Sequence, residues 1–197
     1  IPVVDCQPDS LGMVMGSCLA IRRPLWDAAG GFPVFFGSIA EDMYLCLHTR
    51  MLGFRIACAA SSGYRHRVGN SFGGGKLIGN RLQTNYKRRA LSERNKTFNI
   101  YLFYPFPVLA LILPLHLICL LLEGSLLSLL ARTINPLRLI YVPAIAELWK
   151  SLPQLQPLRC RILRSSTIGI RQFLRPFRIV PWKLMLLWRH GTPRIDG

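Results

Sequence analysis

The 197-residue chain is long enough for one domain, or one domain with an appendage, and too short for two full enzymatic domains. With 51% hydrophobic and 17% charged residues it departs from an ordinary soluble domain, in which about a quarter of the residues are charged. Its 25 Lys and Arg against 9 Asp and Glu, a net charge of +16, ask for an anionic partner. The cations are interleaved with Leu, Ile, Phe and Trp instead of gathered on a polar face, which favours a membrane over a nucleic acid.

The chain opens at Ile1 in apolar sequence without a charged leader and is expected to be a fragment. "LGMVMGSCLAIRR" reads as a strand interrupted at Gly16 and Ser17, as where backbone bends or approaches a ligand. "RPLWDAAGGF" reads as a short helix with Pro24 in its first turn and Gly30-Gly31 at its end. In "GSIAEDMYLCLHTRMLGFRI", Ser38 and Glu41 have the spacing of a capping box, with Met43, Cys46 and Leu47 on one apolar face and Gly53 as the stop. Capping alone would explain Glu41. Asp42 is not needed to close the box, so in an acid-poor chain it calls for another role.

A strand "FRIACAA" and the loop "SSGYRHRVGNSFGGGK" follow. His66 sits there between Arg65 and Arg67; a structural hydrogen bond is the commoner role for a lone histidine. The run Gly73-Gly74-Gly75 lacks the framing of a phosphate cradle and reads as a flexible loop. The six cysteines show no C-x-x-C pair and read as small buried apolar residues in a reducing compartment.

Taken in order, "MGSCLAIRR", "WDAAGGFPVFF", "AEDMYLCLHTRMLGFRI", "GYRHRVGNS" and "SERNKTF" resemble the second half of a family 2 glycosyltransferase of the GT-A fold, close to rhamnosyltransferase-type members. The resemblance runs from about Leu11 to Pro107. It implies an α/β, Rossmann-like GT-A portion in which Gly16 and Ser17 line the donor pocket, Asp42 is the catalytic base with Glu41 as cap and support, and His66 binds a divalent metal, Mg²⁺ or Mn²⁺. Arg94, in "ERN", would pair with the donor diphosphate or form a structural salt bridge. The implied partners are a nucleotide-diphosphate sugar, a glycan or lipid-linked acceptor, and membrane lipids. The nucleotide-binding first half of such enzymes, with the main metal ligands, has no counterpart here, so the chain alone is expected to be inactive.

Composition changes near residue 97. From Phe98 to Leu122 there is no Asp, Glu, Lys or Arg, enough for about 37 Å of helix, although Pro105, Pro107 and Pro114 argue against one straight rod. Basic residues on both sides of this stretch favour a re-entrant or in-plane arrangement over a single crossing. The end of the chain mixes Arg171, Arg175, Arg178, Lys183 and Arg189 with Phe173, Phe177, Trp182 and Trp188, the composition of a surface-lying anchor. The expected division is 1–97, the C-terminal part of a GT-A catalytic domain; 98–131, a membrane-inserted or re-entrant helical segment; and 132–197, a basic amphipathic membrane-surface tail, all at the cytoplasmic face of the plasma membrane. Two rivals stand beside the transferase: a non-catalytic membrane-associated partner subunit and a basic nucleic-acid-binding module.

Overall fold

The structure, a computed structural model, describes residues 11–58, 76–78, 81–177 and 182–196. Helices hold most of them: α1 (Arg23–Ala29), α2 (Glu41–Met51), α3 (Tyr86–Phe103), α4 (Phe106–Leu130), α5 (Val142–Arg164), α6 (Ile170–Leu174) and α7 (Trp182–His190). The extended elements among the described residues are β1 (Lys76–Ile78), β2 (Arg81–Asn85) and β3 (Arg194–Asp196). They form a small sheet in which β1 runs antiparallel to β2, with Leu77 opposite Leu82, and β2 parallel to β3, with Thr84 opposite Ile195.

This corrects the expectation of an α/β, Rossmann-like GT-A portion: the described chain is mostly helical. The stretches expected as strands, around Met13–Ile21 and from Phe54 on, have no strand pairing over their described residues. Alternating apolar residues specify a strand only where a neighbour takes up its backbone N–H and C=O groups, and β1 to β3 pair with one another instead. Gly16 and Ser17 do mark a break, a turn in which the Cys18 N–H points to the Met15 carbonyl.

The core lies where α3 packs on α5, with α2 and α4 alongside. Phe36, Tyr44, Phe98, Leu102, Phe103, Leu148, Leu155, Ile162 and Phe173 form one buried cluster, each large side chain worth about 1.5–3 kcal/mol of transfer free energy. Asn85 starts α3 by accepting from the Arg88 N–H (2.8 Å). The compositional border near residue 97 falls inside α3, whose last residues, Phe98, Leu102 and Phe103, are core and not lipid-facing.

The chain breaks at Tyr104–Pro105, and α4 then runs unbroken through Pro114. Pro105 and Pro107 fall at its start, where a missing N–H costs no helical bond. This helix is long and apolar enough to cross a membrane. Gly124 lets a π-helical turn at Leu137–Tyr141 come close: a Cβ there would lie 2.7 Å from the Tyr141 ring. The basic region after residue 131 holds α5, α6 and α7, and α5 turns one face inward. Leu148, Leu155 and Ile162 bury α5 in the core, and the buried Arg159 donates to the carbonyls of Tyr101 and Tyr104. The cysteine expectation is also corrected: Cys46 is buried, whereas Cys18, Cys58, Cys119 and Cys160 are exposed thiols.

Candidate functional site

The start of α2 has an unusual backbone among the described residues. After a 3-10 turn at Val34–Phe36, Ile39 (φ 70°) and Ala40 (φ 64°) are consecutive non-glycine residues in the left-handed region, directly before Glu41 and Asp42. Each such residue costs about 1–2 kcal/mol, so the surroundings must hold the loop. Ala40 is the N-cap, and no side chain caps the helix. The predicted capping box of Ser38 and Glu41 is therefore absent: the left-handed pair makes Glu41 the first helical residue, where it cannot reach back as the third residue of a box does.

The holding groups come from α3. Asn95, fully buried, directs its Nδ2 to the carbonyls of Phe36 (3.0 Å), Ser38 (2.9 Å) and Ile39 (2.6 Å). Asn99 donates to the Ala40 carbonyl (3.0 Å). Arg94 donates through Nη2 to the carbonyls of Phe35 (3.2 Å) and Phe36 (2.8 Å), and through Nε to Asn95 Oδ1 (2.9 Å), which orients the amide. The structure thus sets Arg94 under the loop, bound to backbone. Asn99 escaped the sequence reading. Its signal was a second Asn one helical turn after Asn95, on the same helical face.

Asp42 and Gly16, 26 positions apart, come together. Asp42 Oδ2 accepts from the Gly16 N–H (3.0 Å) and Oδ1 from the Met43 N–H (2.7 Å). A Cβ on Gly16 would lie 3.2 Å from the Asp42 Cβ, so the close approach favours glycine. Cys46 Sγ, 3.5 Å from the Val14 nitrogen, pins the same segment to α2. The Asp42 carboxylate is half-buried, at the positive end of an 11-residue helix. Burial pushes the neighbouring Glu41 carboxyl up from its ordinary value, the Asp42 charge adding to it, and Glu41 Oε2 has no hydrogen-bond partner among the described residues. Ser17 is exposed beside Gly16.

His48 lies further along α2, packed between the rings of Tyr44 and Phe103, where burial lowers its pKa and favours the neutral ring. His66 falls outside the described residues. Among the described residues no group of three or more His, Cys, Asp or Glu side chains is placed to hold a metal ion, and both Asp42 oxygens already accept backbone N–H groups. The described residues therefore do not form a site for Mg²⁺ or Mn²⁺. A cavity of about 600 Å³ lined by Pro157, Cys160, Arg161, Arg164 and Ser165 opens along α5 and includes none of the predicted site residues. The backbone strain and convergent donors at α2 mark the more informative place, because they relate to a specific reactive group. No family model, curated protein or solved structure matches the chain.

Proposed function

We propose that the chain carries the acceptor-activating part of an inverting glycosyltransferase that moves a hexose, with rhamnose the first candidate, from a nucleotide-diphosphate sugar to a glycan or lipid-linked acceptor. The observation that carries this reading is the strained Ile39–Ala40 pair, held by three α3 side chains immediately before a half-buried carboxylate. Strain of this kind is kept where a group must be presented in one orientation.

In the proposed step, the acceptor hydroxyl oxygen attacks the anomeric carbon as its proton passes to Asp42. The bond from that carbon to the diphosphate oxygen breaks, the leaving group takes the electron pair, and the configuration inverts. Glu41, whose carboxyl burial pushes up from its ordinary value, stands beside Asp42 at the helix start as its support. Gly16 keeps the carboxylate aimed through its N–H. Donor binding is assigned to a nucleotide-binding unit outside the described residues. A cytoplasmic-face location suits the exposed thiols of Cys18, Cys119 and Cys160, which persist in a reducing compartment, and a membrane location suits α4 and the net charge of +16.

One observation favours a second reading, a non-catalytic membrane subunit: two backbone N–H groups already occupy Asp42, as they would a brace between α2 and the Gly16 turn. Asp42→Asn separates the two in membranes carrying the full protein with its donor-binding unit. A base predicts a fall in transfer of about 10²- to 10⁴-fold with thermal stability nearly unchanged. A brace predicts lowered stability with no specific loss of transfer.

A further inference from the structure

We infer that α4 lies along an anionic bilayer, with one face in the lipid, instead of crossing it. The inference rests on the membrane association proposed above and is independent of the transfer reaction.

Six exposed apolar residues of α4 form a continuous stripe, with Phe106 and Leu130 exposed at its two ends. Leu111, Leu115, Ile118, Leu122, Leu126 and Leu129 are each more than half exposed. Their spacing of four and three puts them within an arc of about 80°, over a length of about 27 Å. The opposite face is committed to protein. Thr97 Oγ1 is 2.9 Å from His116 Nε2, and Arg89 Nη2 is 2.7 Å from Glu123 Oε1, so α3 runs antiparallel along α4 as a ladder of polar rungs. Lys183 of α7 joins this ladder at Glu93 (3.1 Å) and at Glu123, and Leu120 and Leu127 pack on Ile140 and Tyr141.

A crossing α4 would drag that ladder with it. Arg89, Glu93, Lys96 and Glu123 would sit at hydrocarbon depth, and α3 could not be left behind because its other side packs on α5. Cations also flank both ends of the stripe. Arg132 and Arg138 are exposed beyond Leu130; at the Phe106 end, α6 packs through Phe173 on Tyr104 (ring centroids 5.3 Å), bringing the exposed Arg171 and Arg175. A crossing would place one of these basic pairs on each side of the membrane, whereas an in-plane helix sets all four in one headgroup layer while the stripe meets acyl chains. That charge match selects an anionic lipid surface over a second copy of this equally basic chain.

The test uses the full chain with its exposed cysteines and Cys6 changed to Ser and with Arg175→Cys and Asn135→Cys, one at each end of α4. It is reconstituted into sealed vesicles of phosphatidylcholine and phosphatidylglycerol and treated outside with a membrane-impermeant maleimide–polyethylene glycol. The in-plane arrangement predicts that each molecule gains two adducts or none. Singly labelled molecules as the main product overturn it in favour of a crossing and leave membrane association standing. Failure to float with the vesicles, with or without self-association, overturns both. A variant that does not take two labels in detergent is replaced by the Arg171→Cys, Arg138→Cys pair, read in the same way. Leu122→Lys is expected to weaken vesicle partitioning by about tenfold or more, since the stripe would carry a charge into lipid; unchanged partitioning overturns the proposal.

Discussion

The two sides of α3 use opposite chemistry for the same end. One side carries Arg89, Glu93, Lys96 and Thr97 and fastens the helix to α4 and α7 through charges. The other carries Arg94, Asn95 and Asn99 and fastens the loop before α2 through donors to backbone carbonyls. Charges locate one helix against another, yet they respond to pH and fail badly when one partner is lost. Amides are indifferent to pH and impose a backbone conformation that no ordinary sequence prefers. The site that needs a fixed geometry is served by the amide side.

The largest effect expected from breaking this division is at Glu93, 1% exposed among three cations. Glu93→Gln leaves Arg89, Lys96 and Lys183, themselves partly exposed, with Glu123 as the remaining carboxylate and should lower unfolding free energy by about 3 kcal/mol, measured by denaturant titration. The wild-type chain should show the same dependence in acid. Burial alone would raise the Glu93 carboxyl, but Lys96, Arg89 and Lys183 outweigh it and hold it at about 2 against an ordinary value of 4.5. A depressed folded-state pKa contributes stability in full above about 4.5, lost progressively as pH falls toward 2. A melting temperature flat from pH 5 to 2.5 would contradict the ionic assignment.

Next in size, Asn95→Ala removes the donor to three loop carbonyls and should cost about 2–3 kcal/mol, without the acid dependence changing. Gly16→Ala brings a methyl to 3.2 Å from the Asp42 Cβ and should cost about 1–2 kcal/mol while displacing the carboxylate, visible as a shifted Asp42 side-chain NMR signal. The smallest effect has the opposite sign: Ala40→Gly relieves the left-handed strain at φ 64° and should add about 0.5 kcal/mol, its unfolded-state entropy offsetting part of the gain.

What the sequence made legible was local. Pro24 in the first turn of α1, the Gly30 and Gly53 stops (φ 74° and 85°) and the break at Gly16–Ser17 follow from single residues whose backbone preferences are strong. The start of α2 was legible in place but not in mechanism: Ser38 suited a cap, and nothing nearby signals that Ile39 and Ala40 adopt positive φ, because the cause sits more than fifty positions away in Asn95 and Asn99. The strands were over-read from alternation, which does not supply a pairing partner. Composition did not show that one face of α5, carrying Leu148, Leu155, Arg159 and Ile162, packs into the core. The proximity of Asp42 to Gly16 was implied by neither spacing nor charge, and for His66, outside the described residues, its expected role stays a proposal.

The measurement that bears most directly on the central claim, that the amide side of α3 holds Asp42 in its working orientation, is a double-mutant cycle on sugar transfer in membranes carrying the full protein. Asn95→Ala and Asp42→Asn are each expected to lower transfer strongly, and the combined variant to lose no more than Asp42→Asn alone, because the first residue acts through the second. Losses that multiply in the double variant, or an Asn95→Ala enzyme that is less stable yet transfers at the wild-type rate, would contradict it.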